Sequence, residues 1–286
     1  MKQRFKNLLE RNQWIKGIPN SLTLCNSLCG FASILLSFQI YKTVNHGSIP
    51  VFLLWSCFMI LFAMVFDALD GFAARLLNAG SMHGLQMDSL ADMVTFGAAP
   101  AAMAVALTDA VDTDISRNYF IVICILCGVY LGCAALRLAT YNVHAILEKK
   151  SSERFSGLPS PGAAAALCSL VVFSATAQDI LPLNCVVKVL PYYAAVLGLL
   201  MVSRIPYMHF AKWIVSCKRN KRRLAFLLFL FAAWAVSGFA YHFFFGKYNW
   251  YAFPALVINI YVFWGPIAYF AVKMGILSSV RLEENA

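Results

Sequence analysis

Charged residues are scarce in this chain of 286 residues. Asp, Glu, Lys and Arg make up 13% of it, whereas soluble globular domains carry about 25%. Apolar residues make up 61%, and the mean hydropathy is +0.70. This composition excludes an ordinary soluble domain. It predicts an all-α protein, a polytopic helical bundle integral to a membrane.

Acidic residues are the scarcest charged class, with 13 against 23 basic residues and a net charge of +10. The basic residues fall at the ends of hydrophobic runs, so they indicate membrane topology and not a nucleic-acid partner. Most of the nine cysteines lie inside apolar runs, where Cys behaves as a small hydrophobe. Cys124 and Cys127 form a CxxC without a second pair or a nearby His, so we expect no redox or zinc site there.

Long apolar runs divide the chain into predicted membrane spans. A bilayer core of about 30 Å needs about 20 residues of helix, which gives about eight spans. Most of the Lys and Arg fall in alternate loops, so the positive-inside rule predicts that the N- and C-termini are both cytoplasmic. The predicted spans are 20–41, 49–76, 87–108, 117–142, 160–179, 187–205, 224–246 and 250–273.

The same pattern predicts four regions along the chain. Residues 1–18 are basic with a helical apolar period, which predicts an amphipathic helix on anionic lipid, with a solvated tail as the alternative. Residues 19–205 form a core of about six spans. Residues 206–223 form a basic cytoplasmic loop that contacts anionic lipid or, alternatively, regulates activity. Residues 224–286 add two further spans and a C-terminal tail.

Four of the acidic residues lie together in an apolar stretch: Asp67, Asp70, Asp88 and Asp92. Ionised groups at membrane depth are expensive and usually mark function. Spacings of three and four residues place each pair on one helix face. The four residues lie near the predicted cytoplasmic ends of the second and third spans, which places a site at the inner membrane surface.

A turn between the two pairs would bring all four carboxylates together. Asn78, Gly80 and Gly84 predict that turn, with antiparallel helices on either side. Carboxylates without His or Cys favour Mg²⁺, Mn²⁺ or Ca²⁺, and four of them suit two ions that assist displacement at phosphorus. The structural alternative is that the acids pair with Arg75 to hold the helices together.

The stretch reads Asp67-x2-Asp70-Gly71-x2-Ala74-Arg75-x8-Gly84-x3-Asp88-x3-Asp92. Gly71 and Ala74 leave room for a flat base or sugar, and Arg75 offers bidentate geometry for phosphate. At every fixed position this pattern resembles the signature of the CDP-alcohol phosphotransferase family.

The resemblance implies a role for each residue of the motif. Asp67, Asp70 and Asp88 would bind two divalent cations, Mg²⁺ or Mn²⁺ with Ca²⁺ as the alternative, and Asp92 would be the general base and a further ligand. A CDP-linked lipid, CDP-diacylglycerol, would contact Asp67, Gly71, Ala74, Arg75 and Gly84. Asn26, in a stretch that resembles one beside the nucleotide in the family, would also contact it. The family further implies a homodimer.

Three more segments resemble one branch of the family, the bacterial-type phosphatidylserine synthases. They are DSLADMVTFGAAP at 88–100, LRLATYN at 136–142 and FSGLPSP at 155–161. Thr140 is a departure, because a second Arg is expected there. Arg137 would meet a serine carboxylate, or would instead reach out to lipid phosphate. The candidate serine-binding residues are Thr95, Arg137, Asn142 and Ser160.

These features predict transfer of the phosphatidyl group of CDP-diacylglycerol to L-serine with release of CMP. Direct displacement is favoured, because the motif offers no activated Ser or Cys nucleophile. The predicted location is the bacterial inner membrane, with the site facing the cytoplasm. Glycerol 3-phosphate, choline or inositol phosphate are the alternative acceptors, although phosphorylated ones demand a denser cationic pocket. A divalent-cation transporter is the alternative from another class.

Overall fold

The computed structural model describes residues 17–40, 51–77, 81–112, 116–147, 157–178, 180–205, 207, 236 and 252–274. These residues are helical, with no β-strand among them. Six of the described helices are long and apolar enough to cross a membrane, which confirms an all-α integral membrane protein. The elements are α1 (Ile18–Phe38), α2 (Val51–Leu76), α3 (Met82–Asp92), a π-helical segment (Met93–Ala98), α4 (Ala99–Val111), α5 (Arg117–Leu147), α6 (Ser160–Thr176), α7 (Leu183–Val202) and α8 (Ala252–Lys273).

Seven of the eight predicted spans coincide with a described helix or with the continuous helix formed by α3, the π-helical segment and α4. Helix α6 has 17 residues, so it is about 26 Å long and shorter than a full bilayer crossing. The predicted span 224–246, the N-terminal helix and the basic loop lie almost wholly outside the described residues. The count of eight, the domain boundaries and the orientation of the termini therefore stay predictions.

The third span begins earlier than predicted. Ser81 caps helix α3, because its side chain accepts a hydrogen bond of 3.0 Å from the Gly84 amide. Helix then runs without a break from Met82 to Val111. The prediction that Gly84 belongs to the turn between the helices is wrong, since it lies in the first turn of α3.

Helix α1 packs closely on the π-helical segment that follows Asp92. A Cβ added at Gly30 would lie 2.5 Å from the Thr95 hydroxyl and 2.7 Å from its Cα, so only glycine fits at this crossing. The Thr95 hydroxyl donates to the Asn26 carbonyl at 3.0 Å. This close approach sets the polar face of α1 against the acidic stretch.

Three prolines interrupt the membrane helices, and each is matched by a side-chain hydroxyl. A proline cannot donate to the carbonyl four residues earlier, and in lipid an unpaired carbonyl is costly. The carbonyls in question are those of Phe96, Val187 and Val262, which precede Pro100, Pro191 and Pro266 by four residues. The Phe96 and Val262 carbonyls accept hydrogen bonds from Tyr130 at 2.8 Å and Tyr207 at 3.0 Å, respectively. The Val187 carbonyl lies 3.5 Å from the Thr108 hydroxyl, which shares its single proton with the Ala104 carbonyl at 2.8 Å.

The buried core lies mainly between helices α4 to α7. Helices α5 and α7 meet at Gly198, where an added Cβ would lie 2.8 Å from the Cα of the fully buried Tyr130. Helices α1 and α2 are joined by buried serines: Ser56 is hydrogen-bonded to Ser33 at 2.8 Å and to Ser37 at 2.9 Å. These contacts hold α1 and α2 together, about three helical turns along α2 from Asp67.

Candidate metal and substrate site

Three carboxylates converge where α2 ends and α3 begins. Ligand oxygens of Asp67, Asp70 and Asp88 all lie within 4.8 Å of one another. Opposite ligands of one Mg²⁺ or Ca²⁺ ion are about 4.2 to 4.8 Å apart, from bonds of about 2.1 to 2.4 Å. One oxygen of Asp88, Oδ1, is buried and has no hydrogen-bond partner. The three residues therefore fit a divalent cation by distance, by donor chemistry and by an unused oxygen.

Asp92 lies apart from that group of three, one turn further along α3. It is 8% exposed, and its Oδ1 accepts a hydrogen bond from Asn26 Nδ2 at 3.2 Å. Asp67 and Asp88 are within electrostatic range of it. Asn26 is fully buried, and its own Oδ1 has no hydrogen-bond partner. Asn26, which was predicted to contact the nucleotide, therefore lies against Asp92. Its contact with nucleotide and the metal-ligand and base roles of Asp92 stay predictions.

Sequence reasoning missed the part played by Thr23. Its hydroxyl lies 2.8 Å from Asp70 Oδ2 and 3.0 Å from the Pro19 carbonyl, so a single proton is shared between two acceptors. Thr23 and Asn26 are three residues apart and share a face of α1. That spacing was a visible signal that α1 forms a third wall of the site.

The motif residues expected to contact nucleotide lie on the same two helices as the acidic residues, α2 and α3. A Cβ added at Gly71 would meet nothing within 4 Å, so space is open beside it. The Arg75 side chain is exposed, and its Nε donates to the Gly71 carbonyl at 2.9 Å. This contact holds Arg75 against its own helix and gives no support to the alternative in which Arg75 clamps the four acids. Ala74 is half-buried, and Gly84 lies beside Ser81 and Asn20.

Two of the four candidate serine-binding residues contact each other. Arg137 Nη1 on α5 donates to the Ser160 hydroxyl at 2.8 Å, and Ser160 is 1% exposed. The Nε of Arg137 is buried and has no hydrogen-bond partner. Arg137 is also within electrostatic range of Asp92. Arg137 therefore holds a buried donor without a partner on the same guanidinium that contacts Ser160.

The other two candidates bridge helices. Asn142 Oδ1 accepts a hydrogen bond from Ser89 at 2.8 Å, which joins α5 to α3. Thr95 is fully buried and is bonded to the Asn26 carbonyl. Thr140, which stands where a second Arg was expected, is exposed and donates to the Leu136 carbonyl of its own helix. Serine binding by Asn142 and Thr95 stays a prediction.

The loop before Ser160 is fixed to the end of α7. The Gly157 amide donates to the Ile205 carbonyl at 2.8 Å, and the Leu158 amide donates to the Leu200 carbonyl at 3.0 Å. Gly157 has a φ of +93°, and an added Cβ would collide with the Met201 carbonyl. Only glycine suits that position. The described part of the FSGLPSP segment is therefore a rigid support for Ser160.

Tyr141 is a further residue near the site, and no role was predicted for it from the sequence. It lies four residues after Arg137 on α5, so the two share a helix face. It is within electrostatic range of Arg137 and of the carboxylates of Asp67, Asp88 and Asp92. Tyr141 is therefore a further polar side chain in the neighbourhood of the acidic residues and Arg137.

Comparison with known sequences decides the family. The sequence profile of the CDP-alcohol phosphatidyltransferase family matches residues 16–200. The chain belongs to this family. The acidic stretch from Asp67 to Asp92 lies inside the matched residues, and α8 lies beyond them. Membership confirms the resemblance seen in the motif.

Three relatives show how far the similarity extends. The CDP-diacylglycerol--serine O-phosphatidyltransferase of Bacillus subtilis is 34% identical over 196 residues, which cover 68% of this chain and 92% of that protein. The protein of the same name from Saccharomyces cerevisiae is 40% identical over 145 residues, 49% of this chain and 48% of that one. The archaetidylserine synthase of Methanothermobacter thermautotrophicus is 34% identical over 154 residues, which cover 53% of this chain and 56% of that protein. The chain thus spans about half the length of the yeast and archaeal relatives.

Proposed function

We propose that this protein is a phosphatidylserine synthase, which transfers the phosphatidyl group of CDP-diacylglycerol to the hydroxyl of L-serine and releases CMP. Family membership and the names of the relatives support the class of reaction. The observation that carries the choice of serine is Arg137, with a buried Nε that lacks a partner, close to Asp92. A carboxylate is the group that such a donor binds best.

The rest of the charge distribution argues against a phosphorylated acceptor. Among the described Lys and Arg residues whose side chains are assigned, Arg137 is the one that is not exposed. A single buried cation suits the carboxylate of an amino acid, whereas glycerol 3-phosphate or inositol phosphate would place two negative charges in the same pocket. The acceptor is therefore a small amino acid with a hydroxyl group.

Asp92 is the general base of the proposed reaction. Its carboxylate takes the proton of the serine hydroxyl while the serine oxygen attacks the phosphorus that carries diacylglycerol. The bond from that phosphorus to the oxygen of CMP breaks, and CMP leaves. Asn26 donates a hydrogen bond to Asp92 Oδ1 at 3.2 Å. The other carboxylate oxygen of Asp92, Oδ2, is then left to accept the proton of the serine hydroxyl. In the proposal, Asp67, Asp70 and Asp88 would hold two divalent cations. When bound, these cations would neutralise the negative charge of the pyrophosphate.

The proposed setting is the inner membrane of a bacterium, with the site at the cytoplasmic surface. CDP-diacylglycerol would enter from the bilayer, and Gly71, Ala74, Arg75 and Gly84 would contact its nucleotide. Serine would arrive from water and bind beside the Arg137–Ser160 pair. A homodimer and contact with anionic lipid are also part of the proposal.

The acceptor is tested by following CMP release from CDP-diacylglycerol with purified protein in detergent. We expect release and phosphatidylserine formation with L-serine, and none with glycerol 3-phosphate, choline or inositol phosphate. Full CMP release without serine, or with glycerol 3-phosphate alone, would contradict the acceptor. Uptake of Mn²⁺ into proteoliposomes in the absence of CDP-diacylglycerol would instead favour the transporter.

A further inference from the structure

Two hydrogen bonds run in opposite directions between helix α1 and the continuous helix that carries Asp92. The Asn26 Nδ2 on α1 donates to Asp92 Oδ1 at 3.2 Å. In return, the Thr95 hydroxyl donates to the main-chain carbonyl of Asn26 at 3.0 Å. Thr95 follows Asp92 by three residues, and both side chains reach α1. Asn26, Asp92 and Thr95 therefore form a clasp between the two helices.

The clasp is buried and closely packed. Asn26 and Thr95 are fully buried, and Asp92 is 8% exposed. Gly30 lies one turn after Asn26, and a Cβ added there would lie 2.7 Å from the Thr95 Cα. The two backbones are therefore in contact at this crossing, and their packing helps to set the distance between Asn26 and Asp92.

A π-helical segment, Met93–Ala98, begins immediately after Asp92. A π turn contains an extra residue and occurs mostly as a single turn inside an α-helix, where it often marks a functional site. Here it changes the register between α3, which carries Asp92, and α4, which packs in the buried core. Asp92 precedes the segment and Thr95 lies inside it, so the clasp holds the helix where its register changes.

Packing alone does not account for an amide at position 26. The Asn26 Nδ2 donates to Asp92, but its Oδ1 is buried and has no hydrogen-bond partner among the described residues. A buried polar atom without a partner is destabilising, so an apolar side chain would serve better if this position only filled space. What the side chain does in this structure is to fix one oxygen of Asp92.

Thr23, three residues before Asn26 on α1, makes the corresponding contact with the predicted metal ligands. Its hydroxyl lies 2.8 Å from Asp70 Oδ2, whereas Asn26 contacts Asp92, which lies apart from the three grouped carboxylates. One helix therefore supports a predicted metal ligand through one residue and the predicted base through another. Loss of the first contact should change the metal requirement, and loss of the second should change the rate at saturating metal.

We propose that the clasp positions Asp92 as the general base, with Asn26 and Thr95 as positioning residues. Asn26 fixes Oδ1 and leaves Oδ2 for the proton of the serine hydroxyl, and the Thr95 hydroxyl fixes the main chain that carries the amide. A carboxylate held in this way needs no reorientation before it accepts the proton. Both residues thereby receive a role different from the substrate contacts predicted from the sequence. This inference rests on the proposed function, since it takes Asp92 as the base.

The substitution Asn26→Leu tests the proposal, because it removes the donor and keeps a side chain of similar size. We expect kcat at saturating substrates and Mn²⁺ to fall about 10- to 100-fold, while the KM values for CDP-diacylglycerol and L-serine stay near those of the wild type. Thr23→Val is the comparison on the same helix, because its loss should be recovered at raised Mn²⁺.

Ser33→Ala is the matched control for a purely structural effect. It removes another buried hydrogen bond of α1, the one to Ser56 at 2.8 Å, without touching the clasp. We expect it to lower the thermal midpoint in detergent and to leave kcat near the wild-type value.

A pair of variants tests the Thr95 half of the clasp and keeps the proposal testable if Asn26→Leu protein does not fold. Thr95→Val removes the hydroxyl with little change in shape, and we expect kcat to fall about 3- to 10-fold. Thr95→Ser keeps a hydroxyl and should restore most of the rate. The thermal midpoint of each purified variant shows whether it is folded.

The outcomes separate this inference from the proposed function. The role of the clasp would be overturned by an unchanged kcat in folded Asn26→Leu protein, by a kcat that returns to the wild-type value at raised Mn²⁺, or by a rise in either KM without loss of kcat. If the wild-type protein releases CMP without dependence on serine, or if Asp92→Asn retains full activity, the proposed function fails instead, whatever Asn26→Leu does.

Discussion

The acidic cluster and the acceptor pocket are built in different ways. Asp67, Asp70 and Asp88 come from two consecutive helices, within one short stretch of sequence. The proposed acceptor pocket draws Arg137 from α5 and Ser160 from α6, and its support comes from the end of α7. The first region is specified by local spacing, whereas the second depends on how distant helices pack.

This difference suggests that the two parts of the proposed reaction, activation of the CDP-linked substrate and choice of the acceptor, depend on different regions. In the proposed function the cluster would supply the chemistry common to CDP-linked substrates, and a fixed motif on one helix pair would be sufficient for that. The choice of acceptor would be made by side chains on helices that are distant in sequence. Variants of the acidic residues should therefore abolish the reaction, while variants around Arg137 should change which acceptor is used and at what concentration.

The largest effect is expected for Asp92→Asn. The substitution keeps the shape of the side chain but removes the base, so we expect CMP release to fall by a factor of about 10³ or more. Asp109→Asn, at the far end of the same continuous helix, is the control and should retain activity. Activity above a tenth of the wild-type value in folded Asp92→Asn protein would remove Asp92 from the mechanism.

Substitution of Arg137 should affect the acceptor side alone. With Arg137→Gln the acceptor carboxylate loses its cation, and we expect the serine KM to rise about 30-fold or more while the KM for CDP-diacylglycerol stays constant. Arg204→Gln, at an exposed arginine after α7, is the comparison variant. A parallel rise in both constants would mean that the two regions are not separate.

Removal of the Thr23 hydroxyl should weaken the acidic cluster without abolishing it. Thr23→Val breaks the 2.8 Å contact with Asp70, and loss of such a supporting bond typically lowers metal affinity by about 10- to 100-fold. We expect activity to be recovered at raised Mn²⁺, with the serine KM unchanged. Ser21→Ala, on an exposed part of the same helix, serves as the control. An unchanged Mn²⁺ requirement would show that α1 does not help to position Asp70.

The smallest effect on activity is expected for a contact that belongs to neither region. Tyr130→Phe leaves the Phe96 carbonyl without a donor, which should lower the free energy of unfolding by about 1 to 3 kcal/mol. Both KM values should stay near those of the wild type. The measurement is the thermal midpoint in detergent, with exposed Tyr192→Phe as the control. A midpoint equal to that of the control would show that the Tyr130 hydroxyl does not compensate for the amide donor that Pro100 lacks.

Much of the fold and of the acidic site could be predicted from the sequence. Apolar runs of about 20 residues identify membrane helices directly, and seven of the predicted spans correspond to described helical segments. The group of Asp67, Asp70 and Asp88 follows from helical spacing. Each of these predictions rests on residues that are close in sequence.

The remaining features depend on contacts between distant residues. The hydroxyl of Thr23 on Asp70 and that of Tyr207 on the Val262 carbonyl join elements that no local pattern pairs. The predicted start of α3 is wrong for a local reason. A glycine at position 84 favours a turn, but the Ser81 side chain caps the helix three residues earlier. The prolines inside helices were the visible signal that partner hydroxyls were needed.

Metal dependence of CMP release tests the central claim most directly, which is that Asp67, Asp70 and Asp88 hold divalent cations at the pyrophosphate. Purified protein is treated with EDTA, dialysed, and titrated with Mn²⁺ or Mg²⁺ in the presence of CDP-diacylglycerol and L-serine. We expect no release after chelation, full recovery on titration, and a higher metal requirement in Asp88→Asn. Full activity after complete removal of metal would contradict the account.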